Sequence, residues 1–384
     1  MLFLCSVDVL NRHQICLYIV AALFIVTPGR KLRFDVSFVL LMLFSLSMLL
    51  FNDSFQSSIT NMLKVFNYPL CYLLGTSTFV MGTRSDLQGA ERDIRTVIYV
   101  IATGTFVHYF LNMLVNLGRT NREVIEFWSG KELSATGQAT FACLIIGVIA
   151  ATLFSRTSKK KKLLAGIALF VVILYNLILA GRTLFGLVII ALLAAFFYKS
   201  HVNKTNIVKV LVTLFLISTV LAVLYSANIF NIKAMYEDSN FYDRFFEGEY
   251  IQELDDDKRG EHKLYYLTHL GDSMFGGGHL RQAYGHSAHD LYLDTYDESG
   301  VFAALFIVFY VLASLGRMIR SLMDKRITLE TRQLVLGVYL IANTMFFMEP
   351  IIRGSSWLLF SYCLIDGAVS HMLNISRRSL MSVI

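Results

Sequence analysis

Read from its first residue, the chain alternates between long apolar runs and short charged breaks. Eleven runs long enough to cross a bilayer, or slightly short of it, fall at 14–28, 34–51, 65–82, 96–117, 137–154, 163–180, 183–198, 210–230, 300–320, 333–348 and 356–375. A helix spanning the hydrocarbon core needs about 20 apolar residues, so the pattern predicts an all-α, polytopic membrane helix bundle. The rather apolar residues 1–13 add a short twelfth candidate. Thr27-Pro28-Gly29-Arg30-Lys31 follows the first run and offers no small-residue cleavage site, so that run reads as a retained helix. The expected organisation is an N-terminal bundle over 1–230, a large loop over 231–299 and a C-terminal bundle over 300–384.

Composition agrees with the pattern. The 384 residues are 55% hydrophobic and 16% charged, with a mean hydropathy of +0.58. A soluble domain carries roughly 25% charged residues, so this chain cannot clothe itself for water. Its five cysteines show no metal or redox spacing and read as small packing residues.

The net charge of +6 would suit nucleic acid if it formed one patch, but it is spread by topology. One set of alternate connections (29–33, 83–95, 155–162, 199–209, 316–332 and the tail from 374) holds 21 of the 34 Lys and Arg, including Arg156 and Lys159 to Lys162. By the positive-inside rule these face the cytoplasm, and residues 231–299 lie outside. No nucleic-acid partner is expected; the lipid bilayer is.

The external segment carries the candidate chemistry. It holds 15 of the 28 acidic residues, six Lys/Arg and five of the nine histidines. Its acidic run 253–257 lacks the ligand spacing and turn glycine of an EF-hand and reads as solvated surface. Further on come Gly276, Gly277 and Gly278, a plain turn or one that lets backbone approach a bulky ligand. His286 and His289, three apart, would share a side of a helical turn and suit a general base or hydrogen-bond donor. A metal held with Asp290 or His279 is the weaker reading, because no third ligand stands at a familiar spacing; neither metal nor cofactor is expected. Arg182, in Gly181-Arg182-Thr183, and Arg353, in the turn from Glu349 to Gly354, fall on the external side by the same count. They either snorkel to headgroups or line a vestibule for an anionic group such as a diphosphate.

At these residues the chain resembles the O-antigen polymerase and O-antigen ligase superfamily of bacterial envelope enzymes. Phe275-Gly276-Gly277-Gly278 is similar to the family's Phe-Gly-x-Gly turn. His289, Leu293, Glu298 and Gly300 match its His-Asn-x-x-Leu-x-x-x-x-Glu-x-Gly element, with Asp290 where asparagine is usual. Gly181-Arg182-Thr183 resembles a Ser-Arg-(Thr/Gly) element, with glycine for serine, and Arg259 with Tyr265 and Tyr266 resembles an Arg-then-aromatic element of the loop.

The resemblance implies a glycosyltransferase of the bacterial inner membrane with its active site facing the periplasm. It would join oligosaccharide repeat units carried on undecaprenyl diphosphate, without a metal. His289 would be the base, with His286 beside it and Glu298 orienting it or neighbouring loop groups; Arg182, Arg259 and Arg353 would hold the diphosphate. A chain-length regulator and a flippase are the implied partners. A polymerase is preferred to a ligase, which would transfer the polymer to lipid A–core. A flippase would have little use for so long an external segment, and a sensor would need a cytoplasmic output domain.

Overall fold

Inside a bilayer every backbone N–H and C=O must find its partner within the protein, which leaves helices as the economical solution for these apolar runs. A computed structural model describes residues 2–9, 13–26, 33–52, 56, 59–77, 86–117, 124–133, 135–179, 182–203 and 258–381. The expected span at 210–230, the acidic run 253–257 and Gly181 lie outside the described residues.

The described chain is almost entirely helical: α1 (Leu2–Val7), α2 (His13–Val26), α3 (Val36–Phe51), α4 (Ile59–Val65), α5 (Asn67–Thr76), α6 (Leu87–Val115), α7 (Ala135–Phe154), α8 (Lys159–Leu179), α9 (Arg182–Asn203), α10 (Lys258–Thr268), α11 (His279–Tyr284), α12 (Leu291–Met323), α13 (Leu329–Phe346), α14 (Ile351–Gly354) and α15 (Ser356–Met381). One antiparallel hairpin, β1 (Val124–Ile125) with β2 (Glu132–Leu133), pairs Val124 with Leu133. Among the described residues five helices are long and apolar enough to cross a membrane, and His13–Leu23 and Val36–Phe51 are shorter apolar helices. The protein is a multi-pass membrane helix bundle.

Its surface supports that reading. The outward rows Val36, Val39, Leu43, Leu46 and Leu50 of α3 and Phe302, Leu305, Phe309 and Leu312 of α12 are exposed apolar stripes at helical spacing. Buried polar side chains lie within, among them Asp366, Asn343, Thr331 and Gln333. Where helices meet most closely the residues are small, with Gly75 against the Gly367 backbone and Gly147 against Gly337, as packing in lipid favours.

Two expectations change. The run at 65–82 is broken at Phe66 between α4 and α5, and α5 ends at Thr76; residues 78–82 lie outside the described residues. Pro69 has no N–H to return to Val65, and the Ser45 hydroxyl donates to the Val65 carbonyl instead, at 2.8 Å. The last bundle begins before residue 300: α12 starts at Leu291, capped by Asp290, and Gly300 is a kink within it.

Contacts between elements sort the helix ends into two layers. Arg317 meets Asp366 and Ser37, and Arg95 meets Thr328 and Thr331, at a lysine-rich end. Asn52, the start of α12 and the α13–α15 connection meet at the opposite, loop end. Also at the loop end, His108 Nε2 lies 2.8 Å from Glu126, and Trp128 Nε1 donates to the Val7 carbonyl at 3.0 Å.

Candidate functional site

The site is assembled by a backbone exchange at Gly300. With φ 80° and ψ 176° this residue interrupts α12, so Val301 N–H no longer reaches back to Asp297. It donates instead to the Met274 carbonyl at 3.0 Å, while the freed Asp297 and Glu298 carbonyls accept from Gly278 N–H at 2.8 Å and Gly277 N–H at 3.2 Å. Gly276 and Gly300 lie where the two backbones touch. A Cβ on Gly276 would stand 2.7 Å from the Glu298 carbonyl, one on Gly300 would stand 2.9 Å from that of Met274, and both residues have positive φ. The glycine turn and the helix start, some twenty residues apart in sequence, thus form one unit.

Asp297 locks it. Its carboxylate accepts from Ser273 Oγ at 2.8 Å, Leu280 N–H at 2.8 Å and Arg281 N–H at 3.2 Å, tying α11 to α12. Asp294 accepts from Ala288 N–H at 2.8 Å and Asp290 N–H at 3.2 Å, which shapes the turn carrying His289. Asp290 caps α12 through Tyr292 N–H at 2.8 Å and Leu293 N–H at 3.2 Å.

Three cation–carboxylate pairs then join this unit to the end of α13 and to α14. Arg353 pairs with buried Glu298, whose other oxygen accepts from Asn52 Nδ2 at 3.4 Å. Arg259 reaches Glu349 at 3.6 Å and the Met348 carbonyl at 3.5 Å. Lys263 stands 3.5 Å from Asp290 and donates to the Phe347 carbonyl. Burial pushes the Glu349 carboxyl up to about 7 in spite of Arg259. Burial also raises Asp290, against the backbone N–H groups and Lys263 that favour its charged form.

Three histidines gather beside these pairs. His262 stacks on His286 with centroids 5.0 Å apart and planes 3° apart, and His289 lies 6.1 Å from His262. His289 holds φ 52°, a left-handed conformation uncommon outside glycine, and its Nδ1 is buried with no hydrogen-bond partner. Burial, and next the charge of Arg259, lower its pKa to about 4, with His262, His286 and Lys263 adding to the effect. The ring is therefore neutral at pH 7 and has a lone pair to offer. Among the described residues no three His, Cys, Asp or Glu side chains could together hold a metal ion.

The structure brings together His286, His289, Glu298, Arg259, Arg353 and the turn Gly276 to Gly278. Glu298, expected to orient His289 or neighbouring loop groups, has its contacts with neighbouring groups, Arg353 and Asn52. Arg182 opens α9 at the loop end, since Tyr198 and Ala195 bind Leu322 and Gln333 at the other end; its side chain lies outside the described residues. Sequence reasoning missed Asn52, His262, Lys263 and Glu349. Glu349 had a signal, a carboxylate four residues before Arg353 in a tight turn, whereas Asn52 had only its place at the end of an apolar run. No protein-family model matches the chain, and no curated protein matches its sequence.

Proposed function

We propose that the protein is a glycosyltransferase that polymerises surface polysaccharide, joining repeat units carried on undecaprenyl diphosphate at the periplasmic face of the inner membrane. The observation that carries this reading is the neutral, partly buried His289 ring beside Arg259, at a membrane rim where Arg353 is the second guanidinium. The acceptor hydroxyl oxygen attacks the anomeric carbon of the donor sugar, and the bond from that carbon to the diphosphate oxygen breaks. The hydroxyl proton passes to His289. The negative charge that develops on the leaving diphosphate falls to Arg259 and Arg353, whose forked donors suit it.

A base with a pKa near 4 is weak, but its depression depends partly on Arg259. A diphosphate bound at that guanidinium cancels part of the positive field and lifts the His289 pKa, so the donor strengthens its own base. Glu298 and Glu349 hold the arginines in the absence of substrate and release them to it. Arg182, at the same end of the bundle, is the third candidate for the diphosphate.

The test is a deletion strain. Single repeat units on lipid A–core identify a polymerase, a bare core identifies a ligase, and unaltered polysaccharide refutes both. Complementation with His289→Asn, which tolerates the left-handed backbone, should fail to restore long chains.

A further inference from the structure

The tip of the glycine turn points two large apolar side chains outward. Met274 and Phe275 are 51% and 65% exposed, although the backbone around them is pinned. That pinning sets their depth. Val301 N–H donates to the Met274 carbonyl, so the tip stands level with the residue at which α12 resumes beyond its kink. From there the exposed row Phe302, Leu305, Phe309 and Leu312 runs down α12. On the neighbouring α3 the row Val36, Val39, Leu43, Leu46 and Leu50 rises to the same level, and the Phe51 ring lies 6.3 Å from that of Phe275. The two helices run antiparallel in contact, joined by Asn52 to Ser299 Oγ at 3.5 Å near one end and by Arg317 to Ser37 at 2.7 Å near the other. The apolar tip therefore stands at the loop end of the α3–α12 seam, beside the Phe51 ring. At the top of that seam Asn52 also binds Glu298, which holds Arg353.

We propose that Met274, Phe275 and the loop-end halves of α3 and α12 form a seat for the hydrocarbon chain of a long-chain lipid diphosphate whose head is taken by Arg353. The seat rests on the proposed function for the identity of the head, not for the apolar surface. Ordinary phospholipid has no reason to prefer this seam to the other exposed rows; a lipid held at its head by Arg353 does. Phe275 would then contribute by burying its ring against the chain, and losing that contact should weaken binding about tenfold.

The experiment uses the full-length Phe275→Trp protein in nanodiscs of brominated phosphatidylcholine, read as the difference from the parent, which carries Trp128 and Trp357. The expected result is strong quenching of the new tryptophan, relieved by small additions of undecaprenyl diphosphate. In parallel, Phe275→Asp should lower undecaprenyl diphosphate affinity about tenfold. Absence of quenching would show that the tip stands in water and overturn the seat. Quenching that undecaprenyl diphosphate does not relieve would reduce the tip to a general bilayer anchor and also overturn it. Relief given equally by undecaprenol, and unchanged in Arg353→Gln, would overturn the role of Arg353 and the seat as stated. Relief with no loss of polysaccharide in a deletion strain would leave the seat standing and remove the polymerase.

Discussion

The two ends of the bundle use the same kinds of side chain to opposite effect. At the lysine-rich end, Arg317 makes a two-point contact with Asp366, Nε to Oδ1 at 2.8 Å and Nη2 to Oδ2 at 2.5 Å. Tyr339 donates to the same carboxylate at 2.6 Å, and Arg317 also donates to Ser37 at 2.7 Å. Glu91 is as fully used, accepting from Thr328 N–H at 3.0 Å and Thr331 at 2.8 Å. At the loop end, Arg259 and Lys263 stand 3.6 and 3.5 Å from their carboxylates, Arg353 is exposed, and His289 Nδ1 has no partner. A charge saturated by short hydrogen bonds in a dry environment is committed to holding helices together. A charge held at longer range, as Arg259 and Lys263 are, or paired from an exposed position, as Arg353 is with Glu298, can be exchanged for an arriving anion at lower cost.

The sharpest way to break this comparison is to remove one charge at each end. Asp366→Leu leaves Arg317 unpaired among α3, α12 and α15, and breaking a buried pair costs about 3–5 kcal/mol. Thermal unfolding of the detergent-purified protein should show a large drop in midpoint. Glu298→Gln should lower it far less, because Arg353 can turn to solvent. Equal losses would mean that the loop-end pair is as structural as the other.

Activity should reverse the ranking. His289→Asn keeps a side chain that accepts φ 52° but cannot take a proton, and losing a general base typically costs about 10²–10⁴ in rate. The midpoint should stay close to that of the parent. A variant that restored long chains in full would remove His289 from the proposed mechanism.

A smaller effect tests the field that couples the loop-end groups. Arg259 is the second cause, after burial, of the low His289 pKa of about 4. Arg259→Gln should raise it, as followed by histidine ring resonances in an NMR titration. The linkage has a definite sign. The unfolded chain, with a histidine pKa near 6.5, binds the proton more readily than the folded one, so stability falls as the pH drops from about 6.5 towards 4. The variant should show a shallower fall across that window. An unchanged pKa would place Arg259 too far from His289 to serve as a substrate-sensitive tuner.

The sequence made the bundle legible because apolar runs are a one-dimensional signal: nine of the eleven expected spans coincide with described helices, 65–82 does so only in part, through α5, and 210–230 lies outside the described residues. The break between α4 and α5 was missed since Pro69 interrupts the ladder at Val65, a defect repaired by Ser45 from another helix. The turn and helix-start elements at 275–278 and 289–300 were both visible, but not the exchange of carbonyls that joins them, which requires the kink at Gly300. Asn52 and His262 were hidden for a different reason. Their part in the site comes from tertiary approach to Glu298 and His286, and nothing local in the chain marks it.

The smallest effect concerns Asp290, the N-cap of α12. Its first task is structural, accepting from Tyr292 and Leu293 N–H at the start of α12. Asparagine caps a helix about as well as aspartate, so Asp290→Asn should alter stability by only a few tenths of a kcal/mol, while Asp290→Ala should cost about 1 kcal/mol. The pH dependence separates cap from charge. Burial raises the Asp290 pKa, so the folded state holds the proton more tightly than the unfolded state does, and stability falls as the carboxyl ionises with rising pH. Asp290→Asn removes that slope and frees Lys263 from its carboxylate while keeping the helix start intact. If Asp290→Asn destabilised the protein as much as alanine, the Lys263 pair would be holding the fold, and the loop end would resemble the lysine-rich end after all.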